Sequence, residues 1–135
     1  MSNLTEKEEA RALKLHGEAL VVDTHCDTLM QFMPGQMPGV EPRKLGERAQ
    51  RGHIDLPRLR EGGVDCQTFA VYTGRRVNQP GALLTALQMV DAFEKECAES
   101  GVVPVHSYDE IQAANRAGKV SAVLALEGGE PLAGD

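Results

Sequence analysis

Residues 120–129 read VSAVLALEGG, and this stretch decides which fold the chain can adopt. A continuous apolar run that ends in a charged residue followed by glycine is typical of a strand buried on both faces, as in parallel sheets. The run is much shorter than the roughly 18–20 apolar residues that a membrane-spanning helix needs. We therefore predict a buried strand over residues 121–126, with Glu127 at the point where its carboxyl end opens.

Two further strands are predicted upstream of this one. Residues 19–25 form a short apolar, β-branched run that ends in polar side chains, and residues 64–72 form a second such run that ends before Thr73-Gly74. Helical patterns separate the three strands, so strands and helices alternate along the chain. This alternation predicts an α/β fold with a parallel sheet, in which ligands bind at the carboxyl ends of the strands.

The helices are predicted from capping residues and apolar periodicity. Ser107 and Glu110 have the spacing of a capping box, and residues 102–105 are a candidate for a short extended segment. Residues 31–52 are rich in Pro and Gly and form a long excursion, which is a candidate lid or homodimer contact. The predicted helices run from Thr5 to about Gly17, from Asp55 to Gly62, over residues 83–97 with a stop at Gly101, and from Ser107 to Gly118.

Composition excludes several classes of function. The 135 residues contain 14 Lys and Arg against 20 Asp and Glu, a formal net charge of −6. An acidic chain without a dense basic cluster is not suited to bind nucleic acid or an anionic membrane surface. Cys26, Cys66 and Cys97 share no C-x-x-C spacing, and no apolar segment typical of a signal peptide follows the N-terminus. We therefore expect a single partial domain over residues 1–135 with reduced thiols, no membrane span and a cytoplasmic location.

The first predicted strand ends in residues that can bind a metal ion. His25 and Asp27 are two residues apart, so the strand pleat should place both side chains on one face, with Asp23 one step deeper as a hydrogen-bonding support. Nitrogen and oxygen ligands together suit Zn²⁺ or a similar divalent ion. The H-x-D pattern alone leaves a surface or capping role open.

Glu127 strengthens the metal hypothesis. Its carboxylate should project at the same sheet edge as His25 and Asp27, because the ends of parallel strands meet there. A Glu that follows so apolar a strand needs a cation or a strong hydrogen-bond donor. A carboxylate shared between two metal ions would meet this need, and Gly128 and Gly129 would let the backbone turn tightly beside it.

Other polar residues are given mainly structural roles. His53-Ile54-Asp55 repeats the H-x-D pattern, but Asp55 is better explained as the N-cap of a helix. Cys26 should face away from its neighbours and pack as a small core residue. Tyr72 ends the second strand and is a candidate wall of a substrate pocket, with simple packing as the alternative.

Three stretches follow one another along the chain: VDTHCDT at residues 22–28, HIDLPRLREGGV at 53–64 running into QTFAVY at 67–72, and LEGG at 126–129. Together they resemble the renal (membrane) dipeptidase family, the M19 zinc metallopeptidases, over about residues 18–132. The resemblance implies the N-terminal part of a (β/α)8 TIM barrel with two zinc ions at its carboxyl-terminal mouth. Members of that family cleave dipeptides, often with a D-residue at the C-terminal position, and some open β-lactams.

The resemblance also implies roles for individual residues. His25 and Asp27 would bind one zinc ion, and Glu127 would bridge both and act as the catalytic carboxylate. A hydroxide held between the ions would attack the scissile carbonyl of the dipeptide. The remaining zinc-binding and substrate-binding residues of the family lie downstream of this chain. We therefore expect the residues present here to be inactive alone.

Two other classes remain as alternatives. Amidohydrolases and TatD-type nucleases also place a ligand pair after the first barrel strand, but they resemble H-x-H there, whereas this chain has Asp27 at the second position. A barrel-derived binding or scaffold module without catalytic activity is the non-enzymatic alternative. Bound zinc would distinguish an enzyme from a scaffold.

Overall fold

The computed structural model describes residues 4–35, 39, 41–74 and 79–132, without the side chains of 79 and 80. These residues form a parallel sheet of four strands. The strand order is β1-β2-β4-β3, and every pairing is parallel. In chain order the elements are α1 Glu6–Glu18, β1 Val22–Asp23, a first 3₁₀ helix Thr28–Phe32, α2 Leu56–Glu61, β2 Cys66–Tyr72, α3 Gln79–Ser100, β3 Val103–Pro104, α4 Tyr108–Arg116, β4 Ser121–Glu127 and a second 3₁₀ helix Glu130–Leu132.

The three predicted strands are confirmed, with two differences. The segment at 102–105 contributes the short strand β3, which makes the sheet four-stranded in the described part of the chain. The first strand is much shorter than the predicted 19–25, because only Val22–Asp23 pair with β2. Directly before β1, the Val21 amide donates to the Asp65 carboxylate. On the other side, the His25 amide donates to the Asp23 side chain and not to a neighbouring strand.

Strands β2 and β4 form the centre of the molecule. They pair along their full lengths, from Cys66 beside Ser121 to Tyr72 beside Glu127. Phe69 of β2 is fully buried and meets Phe93 of α3 edge to face, with 5.8 Å between ring centroids. Such a pair adds to the hydrophobic burial that holds α3 against the sheet. This register brings the carboxyl ends of β2 and β4 to the same level of the sheet.

The predicted starts of α1 and α2 are confirmed, whereas α3 begins at Gln79, earlier than the predicted residue 83. The start of α4 is confirmed with one change in its cap. Thr5 and Glu8 form a reciprocal capping box at α1, and Asp55 caps α2 through the Arg58 amide. At α4 the Ser107 hydroxyl accepts from the Glu110 amide, but the Glu110 carboxylate accepts from the His106 amide and not from Ser107. The capping box predicted there is therefore half formed. Within the described residues, no helix combines the length and the apolar character that crossing a bilayer requires.

Candidate metal centre

Three polar side chains converge at the carboxyl edge of the sheet. His25 and Asp27 follow β1, and Glu127 is the last residue of β4. One ligand atom from each lies within 4.8 Å of the others. The His25 Nε2 atom is 3.6 Å from Asp27 Oδ1 and 3.3 Å from Glu127 Oε2. The structure thus brings together the three residues that the sequence predicted as metal ligands.

The pairing of His25 with Asp27 does not arise from the strand pleat, as the sequence analysis assumed. Strand β1 ends at Asp23, and Asp27 has φ −89° and ψ 20° as the residue before the first 3₁₀ helix. A turn places the two side chains together. The Ala70 amide of β2 fixes this turn by donating to the Cys26 carbonyl oxygen at 2.9 Å.

Asp23 supports the same turn through the backbone. Its Oδ1 atom accepts a hydrogen bond from the His25 amide at 3.0 Å. The sequence predicted that Asp23 would support a metal ligand, and the hydrogen bond seen here acts on the main chain of His25. This bond limits the conformations open to the residues that enter the site.

The donor atoms fit a metal ion. Glu127 Oε2 is buried and has no hydrogen-bond partner, because its contact with the His25 ring lacks hydrogen-bond geometry. A buried carboxylate oxygen without a donor is costly, and a cation nearby removes that cost. One imidazole nitrogen and two carboxylates match the ligand preferences of zinc. About half of each side chain is exposed, so the site is open to solvent.

The backbone after Glu127 needs glycine at one position. Gly128 has φ +83°, a left-handed backbone conformation that residues with a side chain rarely adopt. A larger residue would therefore strain the turn that follows the Glu127 carboxylate. Tyr72 lies beside Glu127 in the β2–β4 register and is half-buried. Its position fits the predicted pocket wall, and its contact with substrate stays a prediction.

Cys26 and Asp55 make the structural contacts predicted for them, and the role of His53 stays a prediction. Cys26 packs against the hydrophobic core, and burial raises the pKa of its thiol. His53 is exposed, whereas Asp55 is fully buried. Burial alone would raise the pKa of Asp55, but hydrogen bonds from the Ala49 amide and from Arg58 outweigh it and lower the pKa. The Asp55 carboxylate therefore has a structural role as the cap of α2 and the partner of Arg58.

Sequence reasoning missed one group of contacts close to the site. Arg43, in the excursion, donates from Nε to Gln31 Oε1 at 2.6 Å and from Nη2 to the Ile54 carbonyl oxygen at 2.7 Å. Gln31 belongs to the first 3₁₀ helix, which begins directly after Asp27. No periodic or motif signal in this Pro- and Gly-rich stretch marks Arg43. A cavity of about 430 Å³ lies beside it, and none of the three candidate ligands lines that cavity.

Comparisons with known proteins give a family match over most of the chain. Residues 9–135 match the profile of the family described as membrane dipeptidase (peptidase family M19). Dipeptidase 3 of Mus musculus is 26% identical over an alignment of 125 residues that covers 90% of this chain and 24% of that protein. The chain thus spans about a quarter of the length of that curated relative.

Two solved structures share the fold. Dipeptidase AC, described as a metallopeptidase of family M19, has a TM-score of 0.65 at 23% identity and matches 82% of this chain and 36% of its own. The probable dipeptidase PvdM from Pseudomonas aeruginosa has a TM-score of 0.74 at 18% identity, with 98% and 34% covered. M19 dipeptidases are TIM barrels, so the four-stranded sheet is part of such a barrel and the predicted fold class is confirmed.

Proposed function

Because this chain belongs to the membrane dipeptidase family (peptidase family M19), we propose that it carries the first ligands of a zinc-dependent dipeptidase active site. The proposed substrate is a dipeptide, including dipeptides with a C-terminal D-residue. The chain matches 36% and 34% of the two solved dipeptidase chains. The remaining ligands would come from barrel strands outside that matched portion. The 135 residues alone are therefore expected to show no turnover.

Each residue of the site has a distinct part in this proposal. His25 and Asp27 would hold one zinc ion, and Glu127 would be a ligand of both ions. When bound, the zinc pair would supply Lewis-acid polarisation of the scissile carbonyl and activation of water. Asp23 orients the backbone of His25, and Tyr72 forms a wall for the substrate beside Glu127.

The proposal rests on the missing hydrogen-bond partner of the Glu127 carboxylate. Its Oε2 atom is buried without a hydrogen-bond donor, yet it lies 3.3 Å from an imidazole nitrogen. A purely structural glutamate at a strand end would turn to solvent or accept a hydrogen bond. A cation shared with His25 and Asp27 would supply the partner that this buried oxygen lacks, while the rest of the side chain is partly exposed.

The test compares the 135-residue chain with the longest product of its reading frame. Metal content is measured by elemental analysis, and hydrolysis is measured with L-Ala-D-Ala. We expect zinc and turnover in the long product and no turnover in the short one. A long product that is metal-free and inactive would favour a scaffold, and a zinc-loaded product active only on other amides would favour an amidohydrolase-type enzyme.

A further inference from the structure

The carboxylate of Asp27 depends on its backbone for its position. Asp27 stands at the N-cap position of the first 3₁₀ helix, but its side chain makes no capping hydrogen bond. A capping aspartate is normally held by amides of the helix that follows. The direction of the Asp27 carboxylate therefore depends on the backbone on both sides of it. Ala70 holds the Cys26 carbonyl oxygen on one side, and residues 28–32 follow on the other, so a shift of this helix would move the ligand.

Arg43 holds this 3₁₀ helix from the side of the excursion. Its amide donates to the Gln31 carbonyl oxygen at 3.0 Å, and its Nε donates to Gln31 Oε1 at 2.6 Å. Its guanidinium carbon lies 5.6 Å from the centroid of the Phe32 ring, within the range of a cation–π interaction. Three independent contacts thus join one arginine to the last two residues of the helix.

The other side of Arg43 is joined to a rigid part of the molecule. Its Nη2 donates to the Ile54 carbonyl oxygen at 2.7 Å, directly before the buried Asp55. The Leu45 amide donates to the buried carboxylate of Glu96 on α3 at 2.7 Å, and the Leu56 amide donates to the Leu45 carbonyl oxygen at 2.8 Å. Residues 41–55 are thereby fastened to α2 and α3. We refer to residues 41–55 as the strut.

We propose that Arg43 is a positioning residue for the metal site, which it serves by fixing the first 3₁₀ helix and, through it, Asp27. The proposal rests on the proposed function only in taking Asp27 as a metal ligand. It assigns a role to the excursion that sequence left open between a lid and a dimer contact. Partners outside the ligand shell that orient a ligand typically change metal affinity by about 10–100-fold when removed.

The experiment measures Co²⁺ affinity, the Co²⁺ absorption spectrum and Tm on the longest product of the reading frame. Arg43→Gln removes the guanidinium that spans Gln31 and Ile54. We expect its Kd for Co²⁺ to rise about tenfold, with a changed visible spectrum, because Asp27 no longer has one fixed position. Arg43→Lys should recover only part of the affinity, since lysine cannot reproduce the two directed bonds.

Two controls separate positioning from loss of stability. Arg48→Gln removes another arginine of the excursion, one that pairs with Glu61 on α2 and makes no described contact with the 3₁₀ helix. Val105→Ala opens the core beside Ala122, towards the other end of β4 from Glu127, and lowers Tm without touching the site. Both should keep the wild-type Kd and spectrum. If Arg43→Gln does not fold, Gln31→Met decides, with an expected loss of at least about threefold in affinity.

Each result bears on a definite claim. An unchanged Kd and spectrum in Arg43→Gln, or in Gln31→Met where that variant decides, would overturn the positioning role. An equal loss of affinity in Val105→Ala at equal Tm would also overturn it. Wild-type protein that binds Co²⁺ but does not cleave dipeptides would remove the proposed function and leave the positioning role to be judged by affinity. Wild-type protein that binds no metal ion would remove both.

Discussion

Two H-x-D motifs in this chain have the same spacing and opposite environments. His25-Cys26-Asp27 lies at the carboxyl edge of the sheet, with the side chains of both His25 and Asp27 about half exposed. His53-Ile54-Asp55 ends in an aspartate that is fully buried and accepts hydrogen bonds from Ala49 and Arg58. Each aspartate stands before a helix, yet only Asp55 uses its carboxylate as a cap.

The difference shows that donors in the surroundings decide what such a motif can do. Asp55 is saturated by amide and guanidinium donors, so its charge is already compensated inside the protein. Asp27 has no capping donor and faces His25 and the unpartnered oxygen of Glu127. A carboxylate that is not used as a cap remains available to bind a cation. Identical spacing therefore yields a structural anchor in one place and a candidate ligand in the other.

We expect the largest effect from Glu127→Gln, which removes a candidate metal ligand beside the first H-x-D motif. In the long reading-frame product, turnover should fall by more than about a hundredfold, because loss of a ligand exceeds the roughly 10–100-fold loss seen for outer partners. Tm without metal should stay equal or rise, since an unpartnered buried carboxylate oxygen is removed. Hydrolysis of L-Ala-D-Ala and metal content are measured together. Near wild-type hydrolysis would show that Glu127 does not bridge the metal ions.

Asp55→Ala tests the structural role of the second H-x-D motif. Loss of the cap and of the buried partner of Arg58 should lower the free energy of unfolding by about 3 kcal/mol. The metal stoichiometry of the protein that remains folded should not change. Urea denaturation and elemental analysis check the two statements, with Asp55→Asn as the matched control that keeps the capping oxygen. A large loss of bound metal in folded Asp55→Ala would place Asp55 in the metal site.

Acid should affect the structural aspartate at a defined pH. The folded-state pKa of Asp55 lies below its ordinary value of 3.8, because its hydrogen bonds outweigh the effect of burial. The stability that this charge contributes is therefore complete above the unfolded pKa and is lost as pH falls through the folded pKa. The stability difference between wild type and Asp55→Asn should be constant above about pH 5 and shrink below pH 3.8. A difference that already shrinks near neutral pH would contradict the lowered pKa.

Sequence reasoning predicted the convergence of His25, Asp27 and Glu127 because the ends of parallel strands must meet at one edge. It predicted the Asp55 cap because a proline follows in the first turn of α2. It gave the wrong cause for the proximity of His25 to Asp27, since a turn and not a pleat brings them together. The length of β1 could not be predicted because the Asp65 side chain takes the Val21 amide.

The strut could not be predicted for a different reason. Arg43 and Gln31 are 12 residues apart, and Leu45 and Glu96 are 51 apart. Contacts between residues so far apart in the sequence have no periodic signature, and Pro and Gly in the excursion indicate only that regular structure stops there. Such contacts arise from how the excursion folds back over α2 and α3. The proposed support of Asp27 is thus harder to recognise from sequence than the candidate ligand itself.

We expect the smallest effect from His53→Ala, which tests directly whether the two H-x-D motifs differ in function. The His53 side chain is exposed, so its removal should change the free energy of unfolding by no more than about 0.5 kcal/mol and leave metal content unchanged. His25→Ala, the matched variant in the other motif, should lose bound metal with little change in metal-free stability, because its side chain is half exposed. Thermal unfolding and elemental analysis of both variants are sufficient. If His53→Ala also lost metal, the two motifs would share a function, and the donors around each aspartate would not be what separates them.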